Sequence, residues 1–261
     1  MWIAVFQSFD HLLPIDIMKH ILASLLALSV VASTTGCKLY QSTSKGIRET
    51  EAGYTRLFDG KTLNGWDGRK DLWAVREGTI TGETVRENPL KGNTFLIWTN
   101  SVVDNFELRL QYRILGGNSG IQYRSKVVDP AGWVVGGYQA DFEAGKTYSG
   151  ILYEERGRGI LAQRGQRTVI RDVDGQTKID VVGKLDDSAV IQAAIHDAAW
   201  NDYTVIANGN HLMHFINGRM TVDVVDEQPS KAATSGVLAL QIHAGPPMLV
   251  QFRDLRLKVL P

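Results

Sequence analysis

The stretch YTVIANGNHLMHFINGRMTVDVV, residues 203–225, predicts three consecutive β-strands. It contains the dipeptide Asn-Gly twice, at 208–209 and at 217–218, and Asn-Gly favours the tight two-residue turn of a β-hairpin. The runs on either side of each turn are rich in Val, Ile, Thr and Phe, which are common in strands. Strands joined by such short turns lie antiparallel, as in a β-sandwich or a β-barrel.

Alternation of apolar and polar residues elsewhere in the chain extends this prediction. In FELRLQYRI, residues 106–114, every second residue is apolar, which is typical of a strand with one face in the core. VLALQIHAG, residues 237–245, alternates in the same way, and only DDSAVIQAAIHDAAW, residues 186–200, has a weak helical pattern. The chain from Tyr54 onward is therefore predicted to be all-β, a sandwich or a barrel.

Composition narrows the class of protein. The 261 residues carry 28 basic and 28 acidic side chains, so the formal net charge is zero. Binding to nucleic acid rests on clustered Lys and Arg, and a balanced chain gives no reason to expect that partner. Hydrophobic residues make up 44% of the chain, and the length suits one large domain or two small ones. The single cysteine, Cys37, has no partner for a disulfide, so a hydrophobic core has to hold the fold.

The N-terminal region has the pattern of an export signal. A basic start, a short apolar run and small polar residues follow one another in residues 18–36, directly before Cys37, and that order is typical of a secretory signal. The end of this segment resembles a bacterial lipoprotein processing site, although Thr34 stands where a leucine is usual. Ordinary cleavage nearby, which would leave a free thiol, is the alternative.

These features divide the chain into four parts. We expect residues 1–17 to precede the true start, 18–36 to be the signal, 37–53 to be a polar tether and 54–261 to be the folded domain. The expected location is the periplasm or the outer membrane, with membrane contact only through a lipid on Cys37.

Polar residues recur at every second position in three of the predicted strands. Residues two apart on a strand point to the same side of the sheet. The polar sides carry amide, carboxylate, guanidinium and imidazole groups: Asn118, Gln122 and Arg124; Gln139, Asp141 and Glu143; Gln241 and His243. If the three strands are neighbours, they line a groove that can hydrogen-bond a polyol. A solvated face with incidental polarity is the alternative.

Several separated segments resemble the 3-keto-disaccharide hydrolase family. They are LFDGKTLNGW (57–66), NSGIQYRS (118–125), GGYQADFEAGKTYSGILYEERGRG (136–159) and LALQIHAGPPMLVQFRDLRLK (238–258), and they occur in the family's order. The resemblance implies a concanavalin-like jelly-roll β-sandwich of two antiparallel sheets. It also implies an enzyme that cleaves 3-keto-glucosides or 3-keto-disaccharides, which are glycosides already oxidised to a ketone at C3. A sugar 3-oxidoreductase is the expected functional partner, since it would supply that ketone.

The implied fold also resembles that of laminarinase-type glucanases, which carry Glu-x-Asp-x-Glu on a concave strand with the first Glu as nucleophile. The comparable run here is Gln139-x-Asp141-x-Glu143. An amide at position 139 cannot form the covalent ester, which argues against a retaining mechanism. Residues two apart on a strand are about 6.6 Å apart, wider than the roughly 5 to 5.5 Å of retaining pairs and at the lower edge of the inverting range. Direct hydrolysis with inversion therefore stays as an alternative.

A ketone at C3 offers a different route, because it acidifies the neighbouring C2–H bond. A base can take that proton, the C1–O bond can break by elimination, and water can add afterwards. This reaction needs a base near C2, a donor to the enolate oxygen and an acid for the leaving oxygen. We predict that Asp141 and Glu143 are the base and the acid, in an order that the sequence leaves open. Arg124 and His243 are the candidates for the enolate or the leaving group.

Substrate binding is predicted for amides of the polar strands and for two aromatic residues in connections. The residues are Asn118, Gln122, Gln139, Gln241, Trp133 and Tyr148. The amides would hydrogen-bond a carbohydrate, and the aromatic rings could stack on it. The sequence indicates no cofactor, although Asp141, Glu143 and His243 could together hold a divalent cation such as calcium. A non-catalytic carbohydrate-binding module is the main alternative to an enzyme, since the same sandwich serves as a lectin.

The lipoprotein interpretation predicts that the mature chain begins at Cys37 and partitions with membranes. Cells that express the full chain and are fed a fatty-acid probe should label the protein. Cys37→Ser should abolish the label, because the chain has no second thiol. A freely soluble, unlabelled product would contradict the anchor and leave the enzyme hypothesis intact.

Overall fold

The computed structural model describes residues 53–261, which form two packed β-sheets. The predicted signal segment, the tether up to residue 52 and Cys37 lie outside the described residues. In chain order the elements are β1 (Thr55–Arg56), β2 (Trp66–Asp67), β3 (Trp73–Arg76), β4 (Thr79–Thr84), β5 (Thr94–Trp98), β6 (Phe106–Leu115), β7 (Asn118–Asp129), β8 (Val134–Glu143), β9 (Leu152–Glu155), β10 (Gly159–Ala162), β11 (Gln166–Val173), β12 (Gln176–Lys184), α1 (Ser188–Ala193), β13 (Asn201–Asn208), β14 (His211–Ile216), β15 (Arg219–Glu227), β16 (Val237–Ile242) and β17 (Met248–Val259).

The two sheets confirm the predicted all-β sandwich. The larger sheet has the strand order β12-β11-β15-β14-β13-β6-β17-β4-β3, with β1 paired to β17, and the smaller has the order β10-β9-β8-β7-β16-β5-β2. The predicted triple β13–β14–β15 is present, with consecutive antiparallel pairing. One pairing differs from the rest of the larger sheet, because β11 runs parallel to β15.

The core lies between the sheets and follows the alternation of β6. Its apolar residues Phe106, Leu108, Leu110, Tyr112 and Ile114 are at most 4% exposed, whereas the polar residues between them are partly exposed. Burying one such side chain stabilises a fold by roughly 1.5–3 kcal/mol. Tyr112 of the larger sheet meets Phe142 of the smaller one, with ring centroids 4.0 Å apart. Facing side chains of this kind hold the sheets together.

The outward face of the smaller sheet is the predicted polar face, since β8, β7 and β16 are neighbours. Gln139 lies opposite Gln122, and Asp141 lies opposite Gly120. The far end of the β7–β8 hairpin bends over this face, because the Phe95 amide donates to the Trp133 carbonyl across a distance of 3.0 Å. In the sheet, β7 and β16 separate β8 from β5, so only a bent hairpin can make this contact. The bend places the end of the hairpin beside Phe95 of β5.

The helix α1 confirms the weak helical pattern and is short, with Ile191 as its buried residue. Within residues 53–261, no helix is long and apolar enough to cross a membrane.

Candidate active site

A cavity of about 470 Å³ lies on the outward face of the smaller sheet. Its lining residues come from β7, β8, β9 and β10 and from the connections around them: Asn93, Asn118, Gln139, Asp141, Glu143, Tyr148, Ile151, Tyr153, Glu155, Ile160 and His243. The fold therefore brings together both acids of the predicted pair, the predicted histidine, two of the predicted amides and Tyr148.

Asp141 is the most perturbed acid of the cavity. It is 6% exposed, and its Oδ1 accepts a hydrogen bond of 2.8 Å from Nδ2 of Asn118. Burial raises the pKa of Asp141 to about 8, and the hydrogen bonds from Asn118 and Gln139 oppose this rise only in part. Burial disfavours the charged form of a carboxyl group because the interior solvates the charge poorly. At neutral pH Asp141 is therefore mainly protonated and can donate a proton.

A chain of side-chain hydrogen bonds orients the amide beside Asp141. The Ser125 hydroxyl donates to Oε1 of Gln122 across 2.6 Å, and Nε2 of Gln122 donates to Oε1 of Gln139 across 2.8 Å. Because the Gln139 oxygen is occupied in this way, its amide N–H groups remain for Asp141. Gly120 gives this arrangement room, since a Cβ there would come within 2.5 Å of the Gln139 side chain.

Glu143 has one oxygen engaged and one available. Its Oε1 accepts hydrogen bonds from the backbone amides of Thr147 at 2.6 Å and Tyr148 at 2.9 Å. Within residues 53–261, no hydrogen bond to Oε2 is formed. The carboxylate thus holds the connection 144–149, which we call the cavity loop, and keeps Oε2 for chemistry.

His243 is exposed at the edge of the cavity, and its tautomer follows from its neighbour. Nδ1 lies 2.5 Å from the carbonyl oxygen of Ala244. A carbonyl oxygen only accepts, so Nδ1 carries the proton of this hydrogen bond. In the neutral ring Nε2 is then an acceptor, and it donates only when the ring is charged.

Sequence reasoning missed Glu155 and Asn93. Both oxygens of Glu155 accept hydrogen bonds of 3.3 Å from Nδ2 of Asn93, and one accepts a bond of 3.4 Å from Nε2 of Gln241. The alternation of LYEE in β9 could have placed Glu155 beside Tyr153 on the outward face. Asn93 had no such signal, because it lies in a connection that only the fold brings to the cavity.

Tyr153 is a neutral donor in the cavity. Burial, and then the nearby negative charges of Glu155 and Asp141, raise the pKa of its hydroxyl. The phenol therefore stays protonated across the physiological range.

The prediction that Arg124 shares a face with the acids is wrong. Its φ of +47° and the irregular register between Tyr123 and Lys126 interrupt the alternation of β7. The guanidinium turns away from the cavity and donates to the carbonyl oxygens of Asp104 at 2.7 Å and Gly209 at 2.6 Å. An extra residue of this kind reverses which side the following side chains face.

Three predicted substrate contacts are also corrected. Gln122 and Gln241 are fully buried and do not line the cavity. They act indirectly, because Gln122 donates a hydrogen bond to Gln139 and Gln241 donates one to Glu155. Trp133 packs against a small apolar cluster that includes Phe95 and Val135, and it too lies outside the cavity lining.

A metal centre finds no support in the described part of the chain. Among residues 53–261, no group of three or more His, Cys, Asp and Glu side chains is arranged to hold a metal ion. Asp141, Glu143 and His243 line one cavity without forming such a cluster.

A larger cleft of about 930 Å³ lies around Arg124, Arg158 and the connection 229–235. Its buried charges are already paired, since Arg158 binds Glu154 at 2.7 Å and Asp226 at 2.6 Å. We place the candidate active site in the smaller cavity, because its buried acid Asp141 forms no ion pair among residues 53–261 and shares the cavity with Glu143.

The protein is thus a β-sandwich of the jelly-roll class, with an acid-lined polar cavity on the outward face of its smaller sheet. This chain belongs to the family described as the 3-keto-alpha-glucoside-1,2-lyase-like domain, which matches residues 53–258. The resemblance inferred from the sequence is thereby confirmed.

One relative resembles this chain in part of its sequence, and two solved structures resemble it in fold. The chain is 38% identical over 84 residues to a 3-keto-disaccharide hydrolase of Bacteroides thetaiotaomicron, and the match spans 29% of each protein. A solved structure from Parabacteroides distasonis with the provisional name glycosyl hydrolase aligns at a TM-score of 0.51 and 18% identity, over 79% of this chain and 99% of that one. A Bacillus subtilis protein of unknown function with a galectin-like fold aligns at a TM-score of 0.50 and 11% identity, over 75% and 90%. The two structures establish likeness of fold.

The raised pKa of Asp141 predicts a pH-dependent stability. Between about pH 4 and about pH 8 the unfolded chain loses this proton while the folded protein keeps it, so the group lowers the free energy of unfolding as pH rises. Asp141→Asn removes this effect. The free energy of unfolding of the variant, relative to wild type, should therefore increase from pH 5 to pH 8 by an amount on the order of a few kcal/mol and level off above that. The melting temperature of the variant, relative to wild type, should increase over the same range.

Thermal unfolding followed by tryptophan fluorescence across this pH range measures the difference. Asp174→Asn, in the exposed turn between β11 and β12, is the matched control. A constant offset between Asp141→Asn and wild type at all pH values would contradict a protonated Asp141.

Proposed function

We propose that this protein cleaves glycosides that carry a ketone at C3, by removing the C2 proton and expelling the C1 substituent. Membership of the 3-keto-alpha-glucoside-1,2-lyase-like family supports the substrate class. The observation that carries the mechanism is the pair of acids in one cavity, of which burial keeps Asp141 protonated to about pH 8.

The reaction proceeds in two balanced stages. A base removes the proton from C2, and the electron pair of the broken C–H bond forms the C2=C3 double bond of the enolate while the negative charge moves onto the C3 oxygen. The enolate collapses to a C1=C2 double bond as the C1–O bond breaks, and the leaving oxygen takes a proton. Water then adds across the double bond and gives the free 3-keto sugar.

The two acids take opposite roles because their surroundings differ. Asp141, protonated through burial, is the acid for the leaving oxygen. Glu143, with Oε1 held by two backbone amides and Oε2 available, is the base at C2. Pairs of carboxyl groups in unlike environments divide acid and base work in this way.

Tyr153 takes the role of donor to the enolate oxygen, for which Arg124 was a candidate from the sequence. Its hydroxyl stays protonated because burial and neighbouring charge raise its pKa. A neutral donor aimed at the C3 oxygen stabilises the enolate as the charge develops. His243 stands at the cavity edge, where Nε2 can accept a hydrogen bond from a sugar hydroxyl or from the attacking water.

Recognition of the sugar would come from the polar and apolar walls together. Asn93, Asn118 and Gln139 present amide groups, which suit the hydroxyls of a carbohydrate. Tyr148, 44% exposed, offers a ring for stacking at the rim. The ketone itself has to come from a sugar 3-oxidoreductase, and we propose that both reactions occur outside the cytoplasm, with this protein held by a lipid on Cys37.

Direct inverting hydrolysis is the second candidate function. The same observation favours it, since Asp141 and Glu143 are two residues apart on β8, a spacing of about 6.6 Å at the lower edge of the inverting range. Inversion at C1 leaves the C2–H bond untouched, and this difference separates the two mechanisms.

The test compares sugar release from a 3-keto disaccharide and from its unoxidised parent, both in heavy water. Elimination predicts release from the 3-keto substrate alone, with deuterium at C2 of the product. The control is free 3-keto sugar without enzyme, because a proton beside a ketone also exchanges on its own. Cleavage without enzyme-dependent deuterium would refute elimination and leave the inverting alternative standing, and binding without cleavage would indicate a carbohydrate-binding module.

Amide substitution of either acid should slow turnover by about 10²- to 10⁴-fold, the usual contribution of a positioned proton-transfer group. Glu143→Gln is a clean change, since its carbonyl oxygen can still accept from Thr147 and Tyr148. In the wild type, activity should also fall as pH rises through about 8, because Asp141 loses the proton that the leaving oxygen needs.

Steady-state rates with the 3-keto disaccharide measure both effects. Asp174→Asn, which replaces an exposed acid outside the cavity, should keep wild-type turnover. Full activity in both Asp141→Asn and Glu143→Gln would remove the acids from the mechanism.

A further inference from the structure

Arg164 is buried against the cavity loop and binds its main chain. The residue is 8% exposed. Its Nη2 donates to the carbonyl oxygen of Lys146 at 2.8 Å, and its Nη1 donates to those of Ser149 at 2.6 Å and Thr147 at 3.3 Å. One guanidinium thus binds half of the six carbonyl groups of residues 144–149.

Glu143 binds the backbone amides of the same loop. Its Oε1 accepts from the backbone amides of Thr147 and Tyr148. The N–H groups of the loop therefore meet an anion while its carbonyl groups meet a cation, and both contacts are charge-assisted hydrogen bonds. Burial lowers the pKa of the Arg164 guanidinium, and the negative charge of Glu143 opposes this lowering in part.

A fourth contact fixes Arg164 itself. Its Nε donates to the carbonyl oxygen of Ser188, at the start of α1, across 3.2 Å. The guanidinium thereby joins the cavity loop to an element that follows much later in the chain, so the loop is tied to the body of the fold.

We propose that Arg164 is a positioning residue, which fixes the cavity loop so that Glu143 and Tyr148 face the substrate. The proposal rests on the proposed role of Glu143 as base. Lysine cannot replace Arg164, because a single ammonium group cannot reach carbonyl groups spread along the loop as the planar guanidinium does.

The first experiment measures the loop without any substrate. Lys146 is an exposed trypsin site inside the loop, and its carbonyl oxygen belongs to the bond that trypsin would cut. Limited proteolysis of the full chain, read by mass spectrometry, should show cleavage after Lys146 at least about tenfold faster in Arg164→Met than in wild type, since opening of the loop limits this cleavage. Arg171→Met, which removes an arginine from a partly exposed ion pair on the larger sheet, is the matched control and should be unchanged.

The second experiment measures the route through Glu143. Misplacing a catalytic group by about 1 Å can cost about 10²-fold in rate, so Arg164→Met should lower kcat/KM for the 3-keto disaccharide by about 10- to 100-fold. In the Glu143→Gln background the same substitution should lower it by less than about threefold, because the group it positions is already disabled. Millimolar guanidinium should partly restore Arg164→Met, and equal urea should not.

The outcomes separate this proposal from the proposed function. Unchanged cleavage after Lys146 in a folded Arg164→Met variant would overturn the positioning role, whatever the substrate proves to be. Full additivity with Glu143→Gln would also overturn it. If Arg164→Met does not fold, as judged by circular dichroism, Arg164→Lys serves in both experiments, with wild-type behaviour again counting against the proposal. Faster trypsin cleavage after Lys146 in Arg164→Met, together with no release of sugar by the wild-type protein, would support the loop contact and refute only the proposed reaction.

Discussion

A carboxyl group that is kept from water on the outward side of a sheet needs a wall above it, and Asp141 is such a group. The strand β8 can bury only one face between the sheets, so the outward position 141 would normally be solvated. The cavity loop and the side chains of neighbouring strands surround it, among them Asn118, which donates a hydrogen bond to its Oδ1. Desolvation then gives the carboxyl group its proton at neutral pH. Stability is lost at this position, and the large core between the sheets offsets that loss.

Most of the fold follows from short-range patterns in the sequence. The alternation of β6 and the two Asn-Gly turns of β13–β15 are local signals, and each was sufficient to predict its strands. The polar faces of β8, β7 and β16 were recognised for the same reason, since a period of two is visible in any short stretch. The parallel pairing of β11 with β15 had no local signal, because it joins strands that lie far apart in the chain.

The candidate site was predicted less completely, and the failures have physical causes. Arg124 has a positive φ at an irregular step of β7, and a period of two cannot be continued through such a step. Asn93 lies just before β5 and reaches Glu155 of β9 only when the whole sheet is assembled, which no single segment of the sequence encodes. Arg164 lies in the connection between β10 and β11, outside any alternating pattern, and its guanidinium is buried against main-chain carbonyls. Contacts to the backbone leave no pattern in the partner's sequence.

Because the cavity loop is held through its main chain, the side chains of this site can diversify. Both charged side chains that hold the cavity loop bind its amide and carbonyl groups, which every residue except proline supplies alike. The side chains at 146, 147 and 148 can therefore change without altering the path of the loop. A scaffold with this property separates the geometry of a binding wall from its chemistry. The rim of the cavity is accordingly the natural place at which evolution, or an engineer, can alter what the cavity binds while the acids below it stay as they are.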